Sequence, residues 1–233
     1  MMPAAPTPPT SSSTKRARTR DALLVSAQAL LMDHTVASLG LRQITRHAGL
    51  VHASFYTHYP DIAALISDLG ELLGVTHATA IAALGAAIED PAARFAQITR
   101  QTLWMMVQQP GFGRLFFDVG LPTDRLSAEL RLSLTLDIGA GAASGRFQVA
   151  DVDLAASMAA GAIAGLALDL HRGGLPPAKI DAATAALLRH LGVDAAEAEG
   201  LAHAPIDILP PLEMPMRWLS LPPVSSPPLG VRP

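Results

Sequence analysis

The sequence contains no cysteine. That absence excludes structural disulfides, thiol nucleophiles and cysteine-ligated zinc or iron–sulfur centres, and it leaves the redox compartment open. Aromatic residues make up only 4% and charged residues 16% of the 233 positions, while half are hydrophobic. This balance excludes disorder over most of the length and favours a helical core rich in alanine and leucine. Long apolar runs are missing too. The uncharged run 154–168 has fifteen residues, short of the roughly 20 that span a bilayer. A soluble, cytoplasmic protein without a membrane partner is expected. There is no Gly-x-Ser-x-Gly, His-Glu-x-x-His or phosphate-loop pattern, and the eight histidines lack metal-ligand spacing. Asp151-x-Asp153 reads as a helix cap and Asp169-x-His171 as dipole complementation at a helix end, so no metal and no cofactor are expected.

What is abundant is unevenly placed. Four of the 19 prolines fall in the first ten residues and nine between Pro205 and Pro233, so both ends read as extended tails. Residues 1–14 have no apolar core of the kind a secretory signal needs. The formal net charge of −3 argues against a nucleic-acid partner only as an average. Residues 1–60 carry six basic and two acidic side chains, +4; residues 61–233 carry 11 and 18, −7. A small basic head precedes a larger acidic body.

Within the head, Leu23, Ala27, Leu30 and Leu31 recur at helical spacing after a candidate cap at Thr19. A second helix is expected over 41–48, with Leu41, Ile44 and Ala48 inward and Arg42, Gln43 and Arg46 outward. Gly49 supplies the left-handed residue that ends it. A third helix, 52–59, stopped by Pro60, offers hydrogen-bonding groups on His52, Ser54, Tyr56, Thr57 and His58, with Phe55 and Tyr59 anchoring its other face. Helix, glycine turn and short helix describe a helix-turn-helix whose last helix fits a major groove.

The run 41–59, LRQITRHAGLVHASFYTHY, followed by Pro60-Asp61 and Leu65, resembles the DNA-binding domain of the TetR/AcrR (tetracycline-repressor-like) regulators. The likeness is strong over about 19–66 and rests elsewhere on length and helical character. It implies a homodimer bound to a palindromic double-stranded operator and released by a small apolar effector. By that match Arg42 and Thr45 approach the DNA backbone, His52, Ala53 and Ser54 face bases, and Tyr56 and His58 hold phosphates, with Thr57 on the same surface. Three positions depart from the family pattern: Gly40 replaces a capping Ser or Thr, and Thr57 and Ile62 replace basic residues. The arm Lys15, Arg16, Arg18 and Arg20 is expected to carry more of the phosphate contact in consequence.

In the body, Asp61 and Asp90-Pro91 read as helix starts, the second helix running to Gln109 and ending at Pro110-Gly111. Half of the ten aromatics lie between Phe95 and Phe117. Most belong to a core; candidates for a ligand cavity are His77, Phe95, Arg100, Trp104, Met105, Gln108, Arg114 and Phe117. Between 132 and 145 two patterns compete. Leu132, Leu134, Leu136 and Ile138 alternate ahead of Gly139-x-Gly141, as in a strand feeding a dinucleotide loop through Gly145. Leu126, Leu130, Leu134 and Ile138 instead make a helical stripe. The glycine spacing and the nearby acids fit the loop poorly, so the helix is preferred and a dinucleotide-dependent oxidoreductase is the alternative; a helical scaffold with an inactive head is a third reading. Two closing helices follow, about 153–172 and 178–191. Gly161 and Gly165 in the first permit close helix approach, and with Leu168, Leu187 and Leu191 they are the expected twofold interface.

The expectation is therefore an all-α regulator, not an enzyme. It has a disordered basic arm (1–18), a three-helix helix-turn-helix domain (19–62), a larger helical ligand-binding and dimerisation domain (63–195) and a proline-rich extension (196–233).

Overall fold

The computed structural model describes residues 11–121 and 124–221. Among these residues it is all-α: ten α-helices, three 3-10 turns and no strand.

The head is formed by α1 (Ser11–Leu31), α2 (Leu41–His47) and α3 (His52–Tyr56). Leu23, Leu24, Ala27 and Leu31 of α1 are fully buried beside Ile44 and Phe55, so each short helix contributes an anchor to the long one. Gly49 takes φ +66° and Leu50 N–H donates to Thr45 O at 2.9 Å, closing α2 with a left-handed turn. Gly40 caps α2 without a side-chain bond. Two boundaries differ from expectation. α1 begins at Ser11 rather than after Thr19, so residues 11–18 of the expected disordered arm are its first turns; the Thr19 hydroxyl donates within the helix to Lys15 O. α3 ends at Tyr56, before Pro60 acts, because Thr57 turns its hydroxyl back to Ser54 O at 2.7 Å.

Asp61 opens α4 (Ile62–Ala86) by accepting from Ala64 N–H, and Asp90 opens α5 (Pro91–Gln108) by accepting from Ala92 and Ala93. α5 is the axis of the body. It packs against α4, α7 (Asp124–Ala143), α8 (Val152–His171), α9 (Ile180–His190) and α10 (Ala195–Ala202). Pro110 does not end the helical run but starts α6 (Pro110–Phe117), since proline suits a first helical position. Residues 132–143 are helical throughout, which removes the strand-and-loop basis of the oxidoreductase alternative. Gly141 lies where a Cβ would be 2.1 Å from the Phe147 ring, so its smallness serves helix packing rather than a phosphate, and Gly145, φ +74°, follows the helix end. Arg146 ties three segments together, with Nε 2.6 Å from Asp90 and Nη2 2.6 Å from Glu197, and its bonds hold the Asp90 carboxyl below the usual carboxylate range.

The C-terminal extension is not separate from the body. It opens with α10, packed on α9 and α5, and continues as a strap. Amide side chains stitch the strap down. Gln97 donates to Pro205 O, Gln101 exchanges two bonds with Asp207 and Leu209, and Gln109 donates to Leu212 O. The strap then crosses to the head. There the buried Gln28 side chain exchanges two 2.8 Å bonds with the Met216 backbone, and Asp21 accepts from Trp218 and Leu219. Strap carbonyls and amides lacking a helix or sheet partner are thus satisfied by side chains.

By length and composition, α4 and α8 are each long and apolar enough to cross a membrane. Uncharged runs alone had not shown this, because such a span tolerates one or two charged residues. Here both helices lay buried faces, such as Leu65, Leu69 and Leu72 or Ala156, Ala159 and Ile163, into the core of the fold.

Candidate functional site

Two regions gather the polar groups expected of a functional site, and α4 touches both. On the head, Lys15, Arg16 and Thr19 of α1 face Ser54, Thr57 and His58 across a shallow cleft of about 360 Å³. Arg16 Nη2 donates to Thr57 O at 3.5 Å across the cleft. Burial, with the Arg16 and Arg20 charges added, lowers the His58 pKa and so favours its neutral ring. Arg18, Arg42, His52, Ala53 and Tyr56 are exposed on the same domain, and the His52 and Tyr56 rings meet edge to face at 5.6 Å.

Two expected DNA contacts are occupied elsewhere. Thr45 is 4% exposed and its hydroxyl donates to Leu41 O at 3.0 Å, because its side chain falls on the inner face of α2. Arg20, though its side chain stays 42% exposed, pairs with Asp68 of α4 (Nε to Oδ2, 2.8 Å), which also accepts from the Tyr59 hydroxyl; burial and the adjacent Asp68 raise the Tyr59 pKa. The Arg20 guanidinium also lies 5.2 Å from the Trp218 ring of the strap. Arg20 therefore joins head, α4 and strap.

In the body, α4, α5 and α7 enclose a half-open vestibule of about 530 Å³ lined by Gly74, His77, Ala78, Ile81, Gly85, Arg94, Ile98, Leu130, Ser133, Leu134 and Asp137. Small residues recur along α4 at 74, 78 and 85, leaving the wall low; at Gly85 a Cβ would be 3.1 Å from Ile98. A smaller apolar chamber continues inward, walled by Met106, Phe112, Phe116, Phe117 and Ile163, and shares His77 and Leu130 with the vestibule. His77 Nε2 lies 3.2 Å from Thr102 Oγ1, and withdrawal from water lowers its pKa to about 4, so the imidazole at the junction is neutral. In the vestibule wall Arg94 Nε is 3.3 Å from Asp137 Oδ1, while burial raises the Asp137 pKa against the pull of Arg94.

Of the expected ligand residues, His77 and Phe117 line these spaces. The others serve the fold. Phe95 packs against Phe147, and Arg100, 4% exposed, pairs with Asp181 at 2.9 Å and donates to Ala204 O. Trp104 packs on the core, Met105 and Gln108 border a crevice under the strap, and Arg114 donates to Leu31 O. Sequence reasoning missed Arg94, Ser133 and Asp137. The available signal was a charged or polar residue recurring on otherwise apolar helices, but its value depended on the rotation of α7.

Of the expected interface residues, Gly161 and Gly165 are exposed with open space where a Cβ would stand, and they continue a stripe with Leu154 and Met158, 57% and 50% exposed. Leu168 is partly exposed beside them, whereas Leu187 and Leu191 are already buried within the subunit. The face α9 leaves open is that of Ala182 and Ala186.

Residues 90–204 match the model of the tetracyclin repressor-like C-terminal domain. No curated protein matches the sequence. Among solved structures, RolR in complex with resorcinol is similar at a TM-score of 0.67 and 28% identity, over 85% of this chain and 100% of that one. A gamma-butyrolactone receptor (ArpA-like protein) has a TM-score of 0.60 at 20% identity, over 81% and 96% of the two chains. NalD of Pseudomonas aeruginosa, the secondary repressor of the MexAB-OprM multidrug efflux pump, has a TM-score of 0.60 at 17% identity, over 76% and 98%. The last two likenesses establish the fold alone. With the helix-turn-helix head, the matched C-terminal domain and RolR agreeing, this chain belongs to the tetracycline-repressor-like family and is a ligand-responsive transcriptional regulator, not an enzyme.

Proposed function

We propose that the protein represses transcription by binding a palindromic operator as a twofold dimer and releases it when a small, largely apolar effector enters the body cavity. The observation that carries this reading is the double attachment of α4. Its first half holds the head through Asp68, and its second half walls the vestibule through Gly74, His77, Ala78 and Ile81. A ligand that binds better when α4 is displaced shifts the population toward a head spacing that no longer matches successive major grooves. Lys15, Arg16 and Arg18 with Ser54, Thr57 and His58 grip phosphates, and His52, Ala53 and Tyr56 meet base edges. The subunits pair through the open stripe of α8, Leu154 to Leu168, with the outer face of α9. The exposed apolar area and the glycine gaps favour a second helix there. The regulator acts in the cytoplasm, where its DNA is.

Because RolR is solved with resorcinol, resorcinol is the first effector to try. The test is a gel shift on the DNA upstream of its own gene, with salt and effector varied. Sequence-specific retardation that weakens steeply with salt and is reversed by an effector supports the reading; absence of specific retardation overturns it. The dimer is tested separately by light scattering. Wild type should be dimeric at micromolar concentration and Gly165→Trp monomeric.

A further inference from the structure

The vestibule holds one feature that an apolar ligand leaves unexplained. Arg94 Nε is buried and has no hydrogen-bond partner, although Asp137 Oδ1 is only 3.3 Å away. The guanidinium is held in place from its other end, where Nη1 donates to Ile88 O at 3.2 Å. The Nε–H and the carboxylate therefore lie side by side without satisfying each other, one an orphan donor and the other an acceptor, on a wall otherwise made of Ile81, Ile98, Leu130 and Leu134. A buried donor left unpaired costs free energy, and a group able both to accept and to donate recovers it. A hydroxyl does both; an ether, a carbonyl or a hydrocarbon does not.

Charge narrows the choice further. Arg94 and Asp137 cancel, and the third polar group shared with the inner chamber, His77, is uncharged. A carboxylate ligand placed on Arg94 would sit against Asp137, and an ammonium placed on Asp137 would sit against Arg94. Each loses what the other residue offers an uncharged group. Ser133, one turn before Asp137 on α7, adds a hydroxyl beside the pair.

We infer that Arg94 and Asp137 are the specificity-determining pair of the effector cavity and that together they read a neutral hydroxyl on a small ring compound. The hydroxyl oxygen accepts a hydrogen bond from the Arg94 guanidinium while its O–H donates one to the Asp137 carboxylate. The ring lies on the low α4 wall beside Gly74 and Ala78, its far edge directed to His77 and the apolar inner chamber. This inference rests on the effector-responsive reading and fixes the ligand chemistry of the same cavity.

Calorimetry on the full-length protein tests it with phenol, catechol and resorcinol as neutral hydroxyl compounds, 3-hydroxybenzoate as an anion, tyramine as a cation and toluene as a hydrocarbon of similar size. Wild type should bind at least one neutral phenol and bind toluene, 3-hydroxybenzoate and tyramine at least tenfold more weakly. Asp137→Asn should weaken the phenol by about tenfold or more, as expected for loss of a charge-assisted hydrogen bond, and gain affinity for 3-hydroxybenzoate because the repelling carboxylate is gone. A gain for one ligand is a result that misfolding cannot produce. Arg94→Met should weaken the phenols without favouring the anion. Toluene or an anion binding wild type as well as the phenols, no binding of any phenol, or Asp137→Asn leaving the ligand order unchanged overturns the inference. If such an outcome comes with effector-free protein that still retards its operator, only the ligand chemistry falls. If the operator is not retarded either, the regulatory reading falls with it.

Discussion

The head and the body are built from the same material, alanine- and leucine-rich helices, but they hold their residues in place over very different distances along the chain. In the head, partners are near neighbours. Thr57 bonds Ser54, Leu50 closes on Thr45, and Phe55 packs on Tyr59 with ring centroids 5.7 Å apart. In the body the deciding contacts are remote: Arg100 meets Asp181, 81 positions away, and Gln101 meets Asp207, 106 away. A unit closed by local contacts announces itself as a motif in sequence, whereas one closed by remote contacts shows only helical periodicity. α4 belongs to both, so it is the path by which the proposed effector-driven displacement passes from body to head.

The strongest way to break the comparison is to unfold one region alone. Phe55 is fully buried at the centre of the head, and Phe55→Ala should cost about 3–5 kcal/mol there. Operator binding should be lost while ligand binding and the dimer persist; a single cooperative transition in which calorimetry shows body and head melting together would mean the two are one unit.

The body has its own signature in pH. Unfolded His77 takes a proton near its ordinary pKa of roughly 6.5, but the folded protein withholds it until about pH 4. The unfolded state therefore binds more protons in that interval, and stability falls as pH drops through it, by at most about 3 kcal/mol. Thermal melts from pH 7 to pH 4.5 should show that loss in wild type and a flatter curve in His77→Gln. Equal slopes would place the acid sensitivity elsewhere.

The strap bridges the two regions, so cutting its attachment tests whether they depend on each other. Gln28→Ala removes both bonds to Met216 from a buried position and should lower stability by about 1–2 kcal/mol. Protease cleavage between 205 and 221 should accelerate at the same time; unchanged cleavage would show the strap is held by its other bonds.

The smallest effect is a gain. Gly40 adopts φ −108° and ψ 143° at the N-cap of α2 with nothing within 4 Å of a Cβ. Gly40→Ser should add about 0.5 kcal/mol through a side-chain cap and a stiffer unfolded chain. Urea unfolding followed by a head-specific signal reads it, and destabilisation would mean the serine hydroxyl is misdirected.

Much of the chain was legible before its structure. Asp61, Asp90 and Asp151 cap helices as their neighbours indicated, because a cap is a bond to a backbone amide two or three positions on. The left-handed Gly49 was legible for the same reason. The cavity was not. Arg100 and Arg94 are alike in sequence, each an arginine on an amphipathic helix, yet one is consumed by Asp181 and Ala204 and the other stands in the vestibule wall beside Asp137 with its Nε–H unsatisfied. Arg20 was read as a DNA contact because its partner Asp68 lies 48 positions on.

The sequence by itself determined the helical class, the charge division between a basic head and an acidic body, and the helix-turn-helix, since each depends on spacing within a few turns. Only the tertiary structure decided which arginines stay exposed on the head, which wall the cavity and where the C-terminal extension lies. Those outcomes are set by which helix faces meet, and the rotation and crossing of packed helices are fixed by side chains far apart in the chain.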